Sequence, residues 1–351
     1  MSKRIPVKPS IGSSVRALCL CLLGLRPGAA SAIFGDGFEG VAAPPGNGVF
    51  APYVDMLLFP AFNPSATAQN VGTRFYTLAF IIAGNGCQAA WGGVIPLADE
   101  TRFGADIAAL RALSGDVIVS FGGAAGVELG VACASVDSLR AQYQAVIDKY
   151  QLTQVDFDIE GAIIAFPDSV RRRNQAIAAL QADAQQAGRA LKVSYTLPVL
   201  PTGLTADGVE LLRDAIAQGV EIGVVNIMAM DYGGPAVADP FRMGDNAIAA
   251  ANSTLAQLRT LYPGRNDAQL RAMLGITPMI GLNDVVPEVF TLADAQQVVD
   301  FAKQNRLGRL AFWSMARDQG CPGGAATVSA TCSGIAQQPF DFARVFLTIG
   351  Q

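Results

Sequence analysis

The chain has 351 residues, 25 Lys and Arg against 29 Asp and Glu, a net charge of −4 and 51% hydrophobic residues. This composition excludes a disordered chain, a coiled coil and a basic nucleic-acid binder, and the length fits one large α/β barrel or two ordinary domains. The sequence holds no histidine, which removes Ser-His-Asp triads, Cys-His dyads and His-ligated zinc and leaves neutral-pH acid–base chemistry to carboxylates, Tyr, Lys or Cys.

Residues 1–32 read as a secretory signal. Lys3, Arg4, Lys8 and Arg16 form a basic start, 17–25 an apolar core too short to span a bilayer, and Ala30-Ser31-Ala32 a small-x-small cleavage site. The mature protein is therefore expected outside the cell, without membrane attachment. Losing Lys3, Arg4, Lys8, Arg16 and Arg26, and no acid, takes the net charge from −4 to −9, which further disfavours nucleic acid as a partner. Residues 33–49 are Gly/Pro-rich without periodicity, as in a flexible linker. Cys87, Cys133, Cys321 and Cys332 remain after the signal. An even count in an exported chain points to two disulfides, with three pairings open. Cys321 and Cys332 flank a Gly/Ala/Ser/Thr-rich loop, so Cys321–Cys332 and Cys87–Cys133 are the expected pairs. Their spacing is too wide for a metal site.

From residue 50 onward, short apolar runs alternate with amphipathic stretches. Strands are predicted at 53–58, 75–82, 117–121, 154–159, 191–197, 223–230, 273–280 and 309–314. Helices are predicted at 102–114, 135–150, 168–187, 206–219, 245–262, 292–306 and 337–348, one opened by Pro167-Asp168-Ser169 and closed by Gly188, another capped by Thr291. Eight buried-type strands over about 300 residues make an α/β fold of the (β/α)8 barrel type, a single domain over 50–351. A doubly wound open sheet would need a Gly-rich phosphate turn after the first strand, and 57–63 has none.

The most informative segment is Val155-Asp156-Phe157-Asp158-Ile159-Glu160-Gly161. On a strand, the period of two sends Val155, Phe157 and Ile159 outward to the helices and Asp156, Asp158 and Glu160 into the barrel. Burying three like charges costs several kcal/mol unless they share protons, pair or bind something. Proton affinities in such a cluster are forced apart, and the acid nearest the catalytic face, Glu160, is the best candidate for general acid. A divalent-cation site and a buried salt bridge to an Arg compete with this reading.

Asp156-x-Asp158-x-Glu160 at the end of a fourth strand resembles the signature of glycoside hydrolase family 18, the chitinase family. Ser120-Phe121-Gly122-Gly123 after the third strand is similar to the family's Ser-x-Gly-Gly motif. Met228-Ala229-Met230-Asp231-Tyr232 ends the sixth strand where the family carries a Met-x-Tyr-Asp-like motif, and Trp313 ends the eighth where the family places a Trp under the reacting sugar. The chain departs from the pattern at Thr153 and Gln154, where Asp and often Gly stand, and at Met230, which takes the place of the motif's Tyr.

The resemblance implies retaining, substrate-assisted hydrolysis of β-1,4-linked N-acetylglucosamine, with chitin or chito-oligosaccharide as partner, no cofactor, no metal and a monomeric enzyme. Glu160 would be acid and then base. Asp158 would orient the sugar's acetamido group, Asp156 would share a proton or hydrogen bond with Asp158, and Asp231 would contact the sugar or Glu160. Tyr232 or Tyr195 would hold the acetamido carbonyl. Trp313 would offer an apolar platform to the sugar ring. Phe80, Met228, Met230, Gly122, Gly123, Trp91 and Asn283 are the further expected substrate contacts, with loop packing the rival reading for Trp91 and loop capping for Asn283. A non-catalytic chito-oligosaccharide-binding protein and an endo-β-N-acetylglucosaminidase acting on N-glycans are the alternatives on the same barrel.

Overall fold

The structure, a computed structural model, describes residues 48–234, 237–324 and 327–351. The expected signal at 1–32 and residues 33–47 of the expected linker lie outside the described residues.

Eight parallel strands form the sheet. β1 has two pieces, Val49–Phe50 and Tyr53–Asp55, and is followed by β2 (Phe75–Ala83), β3 (Asp116–Gly122) and β4 (Gln154–Asp158). Then come β5 (Lys192–Leu200), β6 (Ile222–Met228), β7 (Leu274–Thr277) and β8 (Arg309–Leu310). Each pairs in parallel with its sequence neighbour. The ring closes through β1, whose first piece pairs with β8 and whose second pairs with β2. This is the (β/α)8 barrel expected from the sequence, and it starts at Val49, inside the expected linker.

A helix follows each strand: α1 (Pro64–Val71), α2 (Phe103–Arg111), α3 (Val136–Tyr150), α4 (Pro167–Gln186), α5 (Ala206–Ala217), α6 (Met243–Leu261), α7 (Leu292–Asn305) and α8 (Asp341–Phe346). Thr291 caps α7 through a reciprocal box with Asp294, as its position predicts. The sequence reading missed α1, whose apolar face is weak, although Asn63 accepts the Ala66 N–H, Pro64 stands at its start and Gly72 (φ +95°) ends it. Among the described residues, no helix is long and apolar enough to cross a membrane.

The main core lies between sheet and helices, where Phe121, Phe157 and Tyr143 stack at centroid distances of 4.7–5.3 Å. Phe157 faces α3, so period two does send its neighbours Asp156 and Asp158 inward. Disulfides Cys87–Cys133 and Cys321–Cys332 match the expected pairing. The first joins the loops after β2 and β3, and the second closes a loop after β8.

Candidate active site

The middle of the barrel is polar. Asp156 is fully buried, and both its oxygens are filled by hydroxyls. Tyr53 of β1 donates to Oδ2 at 3.0 Å and Ser120 of β3 at 2.8 Å, while Ser194 and Thr196 of β5 reach Oδ1. The web continues across the barrel: Asn226 of β6 donates to Thr196 at 3.0 Å and Thr277 of β7 donates to Asn226 at 2.9 Å. From β8, Arg309 Nη1 donates to Ser194 Oγ at 2.9 Å and lies 3.9 Å from Asp156 Oδ1. The rival reading of a buried arginine beside the acids is therefore partly true, at Asp156. The described hydrogen bonds of Asp156 all come from hydroxyls, and none joins it to Asp158.

Asp158 lies one inward position further along. It is buried, and its Oδ1 has no hydrogen-bond partner among the described residues. Burial, Glu160 and then Asp156 push its carboxyl well above the usual carboxylate range. Glu160 lies two residues beyond the last strand residue and is half-buried, its proton affinity raised by burial and by Asp231. Gly122 and Gly123 fix this end of β4. Their φ angles are +108° and +88°, and the Gly123 N–H donates to the Asp158 carbonyl at 2.9 Å. A Cβ on Gly122 would meet that same carbonyl oxygen at 2.0 Å, and one on Gly123 would meet the Phe80 ring at 2.7 Å. The two glycines thus shape the backbone around Asp158 and Phe80.

Asp231 follows β6 in the left-handed region (φ +49°), which Asp tolerates. Its Oδ1 accepts the Val285 N–H at 3.0 Å, and its own N–H donates to Asn283 Oδ1 at 3.3 Å. Burial raises its carboxyl, with Asp284 and Glu288 adding to the rise against the Val285 bond. Asn283 is buried and donates to the Met279 and Gly281 carbonyls, which is the loop capping of its rival reading, while its Oδ1 holds the Asp231 N–H. Buried Glu288, a residue the sequence reading missed, accepts the Tyr232 and Gly234 N–H groups at 3.0 and 3.2 Å. Tyr232 is buried, and its hydroxyl has no partner among the described residues.

Two half-buried rings stand at the strand ends. Trp313 and Phe80 stack at 5.6 Å with 16° between their planes, and each lies 6.1 Å from Tyr53. Tyr53 thus joins the aromatic pair to Asp156. Met228 and Met230 are half-buried at the end of β6. Two expected contacts fall elsewhere. Tyr195 alternates with the inward Ser194 and Thr196, so it faces the helices and bonds Asn174 at 2.6 Å. Trp91 is fully buried, with its indole N–H on the Tyr150 hydroxyl at 2.9 Å and its ring edge-on to Phe103. It packs a loop, as its rival reading had it.

The site thus offers a carboxyl at the barrel mouth that keeps its proton above the ordinary Glu range, a buried carboxyl with an unfilled oxygen, and an aromatic face beside them. No protein-family model matches the chain. It is 40% identical over 283 residues to a probable bifunctional chitinase/lysozyme of Escherichia coli K12, covering 79% of this chain and 31% of that one. It is 40% identical over 278 residues to endochitinase 11 of Metarhizium anisopliae, covering 77% and 52%. The chain thus spans about a third and about half of these two relatives. The catalytic domain of a hyperthermophilic chitinase from Pyrococcus furiosus superposes with a TM-score of 0.78 at 36% identity, over 89% of this chain and 97% of that domain.

Proposed function

The chain belongs to glycoside hydrolase family 18, and on that premise we propose that it is a secreted chitinase cleaving β-1,4-linked N-acetylglucosamine chains with retention. The observation that carries the reading is the inward run Asp156, Asp158, Glu160, whose middle acid has an unfilled oxygen and whose outer acid stands at the mouth. An unfilled buried acceptor is costly unless a ligand donor reaches it.

In the proposed reaction Glu160 gives its proton to the glycosidic oxygen as the C1–O bond breaks. The carbonyl oxygen of the sugar's 2-acetamido group bonds to C1 from the opposite face, giving an oxazolinium ion. The acetamido N–H donates to Asp158, which steadies the positive charge. Water then attacks C1, Glu160 takes its proton, and the acetamido group is released with the original anomeric configuration. Tyr232 is the phenol proposed to hold the acetamido carbonyl, supported by its buried hydroxyl, which has no partner among the described residues. Trp313 and Phe80 are proposed to carry the sugar's C–H face. Secretion is supported by the basic-apolar-small pattern of residues 1–32 and by the two disulfides of the barrel.

The test is hydrolysis of an N-acetylglucosamine tetramer by wild type and Glu160→Gln, at about pH 4 to 8, with EDTA in a parallel set. Wild type is expected to cleave with retention, and Glu160→Gln to lose about 10²–10⁴-fold. Binding without cleavage by wild type overturns the reading, as does a loss below about tenfold in Glu160→Gln.

A further inference from the structure

We propose that Arg309 is a positioning residue of this site: from beneath the carboxylates its buried positive charge, set against Asp156 directly and through Ser194, fixes the pH window in which Asp158 and Glu160 carry protons. The inference rests on the hydrolase reading above.

An arginine at the first residue of a strand is ordinarily solvated. Here it is 3% exposed inside the barrel. Ala51 and Ile118 form a small apolar layer toward the N-terminal end, Ile118 being the inward position just before Ser120. Burying a guanidinium is expensive unless it is paired. Its partner charge is Asp156, at 3.9 Å directly and through Ser194, which accepts from Arg309 and donates to Asp156.

The groups facing Asp156, among the described residues, are Tyr53 from β1, Ser120 from β3, Ser194 and Thr196 from β5, Arg309 from β8 and Asp158 on its own strand. Arg309 is the cation in that set, and Tyr53 is the other ionisable group facing it. Four hydroxyls direct their protons at the two Asp156 oxygens. Hydroxyls can rotate to accept; a guanidinium has donors only. Arg309 also engages the acceptor side of Ser194, which leaves the serine proton to Asp156. Asp158 and Glu160 follow on the same inward face, and Asp231 faces Glu160 from the loop after β6, so the field of Arg309 acts on acids whose proton affinity is already raised by burial and by neighbouring anions. Removing the buried positive charge makes the pocket one unit more negative at every protonation state, so its protons bind more tightly.

The experiment compares kcat/KM against pH on the tetramer for wild type, Arg309→Gln and Arg309→Lys. Gln keeps a donor toward Ser194 and drops the charge, whereas Lys keeps the charge. Arg309→Gln is expected to move the basic limb up by about one pH unit, the scale of a charge at this separation, with a lower kcat at the optimum. Arg309→Lys is expected to restore the limb toward its wild-type position. A folded Arg309→Gln with an unmoved limb overturns the proposal, and so does an equal shift in both variants. Should Arg309→Gln not fold, Arg309→Lys decides: with the charge kept, its basic limb is expected at the wild-type position, and a limb moved by about one pH unit overturns the proposal. Wild type without hydrolase activity sinks the functional reading instead, and the Glu160 carboxyl carbon, followed by ¹³C NMR against pH, still answers for Arg309: its titration is expected to move up in Arg309→Gln and to stay in Arg309→Lys, and the opposite pattern overturns the proposal.

Discussion

Tyr232 is buried, its backbone N–H is fixed by Glu288, and its phenol hydroxyl meets no partner among the described residues. If that hydroxyl serves a ligand, its removal costs binding and catalysis but no internal hydrogen bond. Tyr232→Phe is thus expected to lower kcat/KM by about tenfold or more, with a Tm equal to or above wild type; steady-state kinetics and a thermal melt check the pair of outcomes. Asp231 acts on pH in the opposite direction to Arg309. As a nearby anion it raises the proton affinity of Glu160, so the general acid keeps its proton to higher pH. Asp231→Asn is expected to move the basic limb of kcat/KM to lower pH, and a limb that stays or rises contradicts that assignment.

At the level of elements, β4 follows the period of two throughout, with Val155 and Phe157 packed outward and Asp156 and Asp158 inward. β5 does the same with Ser194 and Thr196, a polar alternation visible in the sequence that excludes Tyr195 from the interior. β3 ends in two glycines because the β4 backbone and the Phe80 ring occupy the space of their Cβ atoms. Gly122→Ala forces a side chain onto the Asp158 carbonyl at positive φ, and is expected to cost about 1–3 kcal/mol by denaturant titration, with activity reduced through displacement of Asp158. The loop after β7, with Asn283, Val285 and Glu288, holds the loop after β6 at Asp231, Tyr232 and Gly234. Buried Arg317 steadies the same loop by donating to the Ile280 and Leu282 carbonyls.

Across the whole molecule, the large exposed apolar side chains lie in loops that leave strand ends. Phe59 (88% exposed) follows β1, Phe166 follows β4, Phe241 (81%) follows β6 and Val286 (80%) follows β7. Parallel closure brings these loops to one end of the barrel, the end that carries Glu160. Exposed apolar side chains of this kind mark a contact surface, and under the proposed function that surface would meet the polysaccharide. Phe59→Ser with Phe241→Ser is expected to weaken pull-down on chitin powder and slow its hydrolysis several-fold, with tetramer hydrolysis near wild type. Equal losses on both substrates would tie these rings to the cleft instead.

Asp156, Asp158 and Glu160 were legible because a strand fixes which residues share a face, whatever it packs against. The eight strands, most helices and the cap at Thr291 were legible for the same reason, since local periodicity and capping chemistry are written in consecutive residues. Arg309, Tyr53, Asn226 and Thr277 carried no such mark. A lone arginine or tyrosine at a strand start reads as an ordinary end, and only ring closure brings β1, β6, β7 and β8 around the acids of β4. Glu288 was hidden because its partners, the Tyr232 and Gly234 N–H groups, stand more than 50 positions away in the chain. The residue types and their alternation thus determined the fold and the acids, whereas closure of the sheet decided which groups face those acids, because proton affinity depends on neighbours in space.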